Sequence, residues 1–288
     1  MTASFDASVR MIGIMQGRLL PPADGRIQCF PRENWNDEFA LAASAHVDSI
    51  EWIYDEYGAD VNPLATDEGI ESILESVDTH GVQVVSVCAD YFMERPLVRA
   101  TDTELEERFR VLLWLLDRCR RVGVTRIVLP FVDASRIETD GALSKVVSIL
   151  GQASGRAEEL GIELHLETSL APERFAELLA RLPSASIKVN YDSGNSASLG
   201  YDPREEFSTY GARIGSVHIK DRVLHGGTVP LGSGDADLRA VFECLRDFNY
   251  NGDLIMQVAR DVDGEELEWA ERNRAAILAL IAGAARAA

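Results

Sequence analysis

Basic residues are scarce in this chain. Its 288 residues carry 28 Lys and Arg against 47 Asp and Glu, a formal charge of −19. Binding duplex nucleic acid through its phosphates calls for a net basic surface, so the balance argues against a nucleic-acid partner. We read the acidity as solubility. Cysteine is sparse too: Cys29, Cys88, Cys119 and Cys244 stand apart with no C-x-x-C spacing. That pattern implies free thiols in a reducing cytoplasm rather than a disulfide framework. Long apolar runs are missing, which leaves no membrane-spanning segment. The opening Met-Thr-Ala-Ser-Phe-Asp has neither the basic region nor the apolar core of a secretory leader. The first glycine turn, Gly17-Arg18-Leu19-Leu20, is not G-x-G-x-x-G, so the mark of a doubly wound dinucleotide-binding sheet is absent.

What is present is a regular alternation. Short apolar runs at Met11–Gln16, Val47–Ile53, Val82–Val87, Val124–Leu129, Gly161–Thr168, Ser186–Asp192, Ile214–Lys220 and Asp253–Val258 read as eight strands. Between them lie helical patterns, such as Ile70, Ile73, Leu74 and Val77 at i, i+3, i+4, i+7. Thr101-x-x-Glu104 is a capping box. Asp202-Pro203-x-Glu205 opens another helix, and Asp235 is the expected cap of the helix that follows it. Strands separated by helices pair in parallel, and eight such units close a barrel. With no break in composition, residues 1–288 read as a single (β/α)8 TIM barrel domain.

Four consecutive strands end in residues that carry oxygen or nitrogen: Glu167, Asp192, His218 and Gln257. Chemistry in such barrels sits at the C-terminal ends of the strands. Each residue alone has an ordinary explanation: a helix cap, a satisfied core histidine, polar filler. Together, on four adjacent strands, they favour one shared site. Three oxygen donors with one imidazole and no thiolate suit a divalent Mn, Mg, Co or Fe ion better than structural zinc, although zinc stays on the list.

Further residue strings share these positions. They are Ile-Gly-Ile-Met-Gln-Gly-Arg-Leu at 12–19, Ser-Ile-Glu-Trp at 49–52, Leu-Glu at 166–167 and Tyr-Asp-Ser-Gly-Asn at 191–195. Val-His-Ile-Lys-Asp at 217–221, Pro-Leu-Gly-Ser-Gly-Asp at 230–235 and the Leu-Ile-Met-Gln ending at 257 complete the set. In this order the chain resembles the xylose isomerase-like barrel superfamily, in its sugar-phosphate isomerase and epimerase branch with tagatose 3-epimerase-type enzymes and inosose dehydratase. The resemblance implies a four-ligand metal site of Glu167, Asp192, His218 and the position of Gln257, where the family carries a second glutamate. It also implies enolisation of a small sugar, sugar phosphate or cyclitol through a metal-stabilised enediolate. Glutamine cannot accept a proton at neutral pH, so the family's exchange between two glutamates is not open here. Asn195 stands where several epimerases carry a histidine.

These departures leave two enzyme readings and one binding reading. The first is an isomerase or epimerase. The second is a dehydratase of a keto-polyol, which needs one base and one acid. The third is a relative that binds carbohydrate without turnover. Glu167 is the candidate base, with Lys220, His165, Glu51 or a metal-bound water as the second proton carrier. His165 shares the inner face with Glu167 by strand alternation, and a hydrogen-bonded core histidine is the plain alternative. Arg18, beside Gln16, is placed at the mouth to hold a substrate anion. Trp52 and Phe131 are candidates for stacking on a sugar. Glu51, Asn195 and Arg222 complete the expected substrate contacts. The glycines at 226, 227, 232 and 234 suit an anion site, a lid or a plain turn. A homodimer or homotetramer is the family's habit.

Overall fold

The computed structural model describes residues 11–286. The reading of the first residues as leaderless, and the outer ends of the domain 1–288, lie outside the described residues.

Eight parallel strands close a barrel. They are β1 (Ile12–Met15), β2 (Ser49–Ile53), β3 (Gln83–Cys88), β4 (Arg126–Phe131), β5 (Glu163–Thr168), β6 (Ile187–Asp192), β7 (Ile214–Ile219) and, after an antiparallel ribbon of β8 (Asp221–Arg222) and β9 (Thr228–Val229), β10 (Leu254–Met256). Closure runs through β1 pairing with both β2 and β10. The helices pack outside: α1 (Asp37–Ser44), α2 (Asp67–His80), the single turn α3 (Tyr91–Glu94), α4 (Asp102–Val122), α5 (Asp140–Leu160), α6 (Pro172–Ala180), α7 (Ser193–Leu199), α8 (Pro203–Tyr210), α9 (Leu238–Asp247) and α10 (Glu266–Arg286). This is the (β/α)8 barrel that the alternation of patterns implied. No helix among the described residues is long and apolar enough to cross a membrane.

Local chemistry sets the helix ends. Thr101 and Glu104 form the reciprocal capping box of α4. Asp202 accepts from the Arg204 N–H at 2.7 Å, and Pro203 sits at the first position of α8. One cap differs from expectation. Asp237, not Asp235, caps α9 by accepting from the Ala240 N–H at 2.9 Å. The Asp235 carboxylate accepts instead from the Leu224 N–H across the ribbon loop.

Strand parity sorts residues between the two sides of the barrel wall. Glu51 points inward, while its neighbour Trp52 points outward into the layer of α1. There Trp52 is fully buried, with ring centroids of Trp35 and Phe30 at 5.5 and 5.6 Å. Its indole N–H donates to Asn62 at 3.1 Å. Removing such a ring costs about 3–5 kcal/mol. At the N-terminal end of the barrel, Arg126 Nη1 meets Asp253 Oδ2 at 2.7 Å and both are buried. Polar groups then climb the interior in layers toward the C-terminal mouth.

Candidate functional site

The mouth gathers Glu167 from the end of β5, Asp192 from the end of β6 and His218 from β7. Asp192 and His218 are register partners on adjacent strands. One donor atom from each of the three lies within 4.8 Å of the others. All three are buried. The imidazole is oriented from behind. Its Nε2 lies 2.6 Å from Glu51 Oε1, so the Nε2–H donates to the Glu51 carboxylate. Nδ1 then points at the cluster, 3.3 Å from Glu167 Oε2 and 3.9 Å from Asp192 Oδ2. Nδ1 makes no aligned hydrogen bond among the described residues. A buried ring nitrogen left over, facing two carboxylates and backed by a third, is the arrangement of a metal-binding histidine with an outer carboxylate. The donor set therefore fits a divalent cation.

Electrostatics agree with that geometry. Burial alone would strip the proton from His218, but Glu51 and Glu167 outweigh it and push the imidazole up to about 10. Burial alone would raise Glu51 and Glu167. His218 beside them holds both below the ordinary carboxylate value. Asp192 is raised, because its burial outweighs the nearby Lys220 ammonium.

Two asparagines hold Glu167. Asn190 Nδ2 donates to Oε2 at 2.9 Å and Asn195 Nδ2 donates to Oε1 at 2.6 Å. Asn195 is itself fixed by its N–H to Asp192 at 2.7 Å and by Arg222 Nη1 on its Oδ1 at 2.8 Å. Arg222 also donates to the Gly226 carbonyl, which ties it to the ribbon loop. Lys220 Nζ sits among three oxygens: Gln257 Oε1 at 3.0 Å, with Asp192 Oδ2 and Asn195 Oδ1 at 3.4 Å each. Its stem crosses the start of α7 so closely that a Cβ on Gly194 would stand 2.7 Å from Lys220 Cγ.

The other expected site residues take different places. His165 lies one layer below Glu167, fully buried, with Nδ1 at 2.7 Å from Ser216 Oγ and Nε2 at 2.9 Å from Glu163. Gln16 is buried in the barrel wall, where its Oε1 accepts from the Ile53 N–H. Arg18 is buried rather than open to a substrate anion. It donates to the Ile27 carbonyl and to Gln28 Oε1, and burial brings its guanidinium down to about 10. Trp52 and Phe131 are buried in the core. The glycine-rich loop folds around an anion of its own. Asp221 accepts N–H groups from Gly232, Gly234 and Ala236 at 2.8 to 3.0 Å.

Sequence reasoning passed over Asn190 and Ser216. Each stands two residues before a ligand on the same strand, so strand alternation alone would have placed them on the inner face. It also passed over Gln28, which lies in a loop without periodicity.

A closed (β/α)8 barrel with a carboxylate and imidazole cluster at its C-terminal mouth defines a class: a barrel equipped to hold a divalent cation. The family follows from comparison. The model of the xylose isomerase-like TIM barrel matches residues 39–279, and the chain belongs to that family. Inosose dehydratase of Geobacillus kaustophilus (strain HTA426) is 29% identical over 147 residues, 43% of this chain and 47% of the relative. The chain spans about half the length of the curated relatives it matches. Among solved structures, the IOLI protein with a bound zinc atom shares 17% identity at a TM-score of 0.75, covering 93% of this chain and 98% of that one. L-ribulose 3-epimerase also shares 17% identity at a TM-score of 0.75, over 96% of each chain. At these identities the structural matches establish the fold.

Proposed function

We propose that this chain is a divalent-metal-dependent enzyme that moves a proton next to the carbonyl of a small sugar, sugar phosphate or cyclitol, as an isomerase or epimerase. The observation that carries this reading is the buried meeting of Glu167, Asp192 and His218, with Nδ1 of the imidazole turned toward both carboxylates. Zinc in the IOLI structure supports the choice of a divalent ion, with manganese, magnesium, cobalt or iron equally suited to the donors. Such a cation supplies Lewis acidity to a carbonyl oxygen.

The protein's own groups do the rest. Glu167 is the base: His218 beside it keeps its carboxyl below the ordinary value against the pull of burial, and Asn190 and Asn195 aim it. Glu51 faces Nε2 of the His218 ring and so turns Nδ1 toward Glu167 and Asp192. Lys220 is the second proton carrier, because its ammonium already sits among the oxygens of Asp192, Asn195 and Gln257. His165, held below the mouth by Ser216 and Glu163, supports the cluster from beneath. Arg222 steadies Asn195, and Arg18 shapes the mouth through the loop it holds.

A second reading is loss of water from a keto-polyol. It is favoured by Gln257, which leaves one carboxylate base and one ammonium acid across the mouth, and by the inosose dehydratase relatives. The test is incubation of metal-loaded enzyme in deuterium oxide with a panel of ketoses, their phosphates and an inosose. Deuterium in recovered or isomerised sugar supports the first reading, and a dehydrated diketone supports the second. Neither outcome with any substrate contradicts both. Four buried free thiols support a cytoplasmic setting, and a homodimer or homotetramer is the proposed assembly.

A further inference from the structure

Gln257 has one carbonyl oxygen and one amino group, and only the oxygen can serve a cation. Which of them faces the cluster is decided elsewhere, by a chain of hydrogen bonds whose ends allow only one direction. Arg18 can only donate, and it donates Nη2 to Gln28 Oε1 at 3.1 Å. Burial lifts the Asp90 carboxyl to about 6, so at neutral pH it is ionised and accepts: Gln28 Nε2 donates to its Oδ2 at 2.7 Å and Cys88 Sγ to its Oδ1 at 3.2 Å. Gln28 therefore presents its oxygen to Gln257, which must answer with Nε2, at 2.9 Å. That leaves Gln257 Oε1 turned toward the cluster. There it already serves a cation, the Lys220 ammonium at 3.0 Å, which shares its charge with Asp192 Oδ2. Arg18, Asp90 and Gln257 are buried, and Gln28 between them is half-buried.

We propose that Gln28 is a positioning residue of the metal centre: clamped between Arg18 and Asp90, it locks the Gln257 amide with its oxygen inward as a neutral fourth ligand. The inference rests on the metal-site reading above. It supplies what the exchange of glutamate for glutamine took away. A carboxylate presents an oxygen whichever way it turns, whereas an amide must be held. Lys220 Nζ holds that oxygen at 3.0 Å, where a bound divalent ion would take its place. A ligand's outer partners typically carry ten- to a hundredfold in metal affinity.

The experiment is a cycle of variants read by Mn²⁺ affinity, using titration calorimetry or the free-Mn²⁺ electron spin resonance signal, with thermal melts to confirm folding. Gln28→Ala should weaken Mn²⁺ about ten- to a hundredfold in the native background. In the Gln257→Glu background the same change should cost less than about twofold, because both ends of a carboxylate are oxygen. An equal loss from Gln28→Ala in both backgrounds would make Gln28 a merely structural residue and overturn the proposal. So would no loss in either. If the native chain binds no Mn²⁺ but Gln257→Glu does, the amide is not a ligand and the proposal falls while the site's location stands. If neither binds, the metal-site reading itself falls and takes the proposal with it.

Discussion

Glu51 contributes no donor to the metal cluster, yet the geometry makes it responsible for the tautomer of His218. Two substitutions separate its charge from its shape. Glu51→Gln keeps an oxygen within reach of Nε2, so the hydrogen bond survives and only its ionic character is lost. Charge-assisted hydrogen bonds are roughly twice as strong as neutral ones, a difference of about 1–1.5 kcal/mol in a buried pair. The native contact is short, 2.6 Å, and both side chains are fully buried, so solvent does not dilute the effect. The expected loss of divalent-metal affinity is about tenfold. Glu51→Ala removes the acceptor altogether and frees the ring to rotate or change tautomer. Its expected loss is up to about a hundredfold, or roughly 2.7 kcal/mol. Mn²⁺ titration calorimetry at fixed pH, with melting curves as a folding control, measures both. Unchanged affinity in the two variants would refute the claim that His218 binds through Nδ1 with Glu51 behind it. Equal losses in both would show that charge, not orientation, is what Glu51 provides.

Other consequences are accessible to simple assays. Glu38 is wholly buried, and burial lifts its carboxyl from the ordinary 4.5 to about 7. A carboxyl raised by folding costs nothing below its unfolded value. Its penalty grows as pH climbs from about 4.5 to 7, on the order of 3 kcal/mol, then levels off. Denaturant melts of Glu38→Gln should therefore lose that slope, and an unchanged slope would contradict the assignment. Gly194→Ala should drive its new methyl into the Lys220 stem, costing about 1–3 kcal/mol and lowering turnover more than metal affinity. Equal turnover in the two proteins would deny Lys220 its role. Asp221→Ala should release the backbone of residues 232–236 and expose the loop to limited proteolysis, without altering the barrel's far-ultraviolet dichroism. A loop that resists cleavage as before would show that Asp221 does not hold it.

Much of this architecture could be read from strand endings. Glu167, Asp192 and His218 each close a short apolar run, and the barrel's closure brings consecutive strands side by side, so sequence order becomes spatial order. The same periodicity separates Glu51 from Trp52, and a strict use of it assigns the carboxylate to the interior and the indole to the helical layer. Arg18 was less legible. Its place after the first strand suggests the mouth, but its partners Ile27 and Gln28 belong to a loop whose path no pattern encodes. Asp235 was mistaken for a cap because two aspartates lie two residues apart before α9, and only the fold decides which carboxylate meets the helix N-terminus. Gln28 and Asp90 are the extreme case. Their importance lies in who donates to whom, a property of the assembled network and of no residue taken alone.

The central claim is a divalent cation held by Glu167, Asp192 and His218. Elemental analysis of the purified native chain and of His218→Ala, each after equilibration with Mn²⁺ and removal of loose ions, tests it directly. The native chain should hold close to one equivalent of metal and His218→Ala almost none, with both folded. Equal metal in both proteins would place the ion elsewhere. A native chain that takes up no Mn²⁺, Co²⁺ or Zn²⁺ would contradict the metal centre outright and leave carbohydrate binding without turnover as the better account.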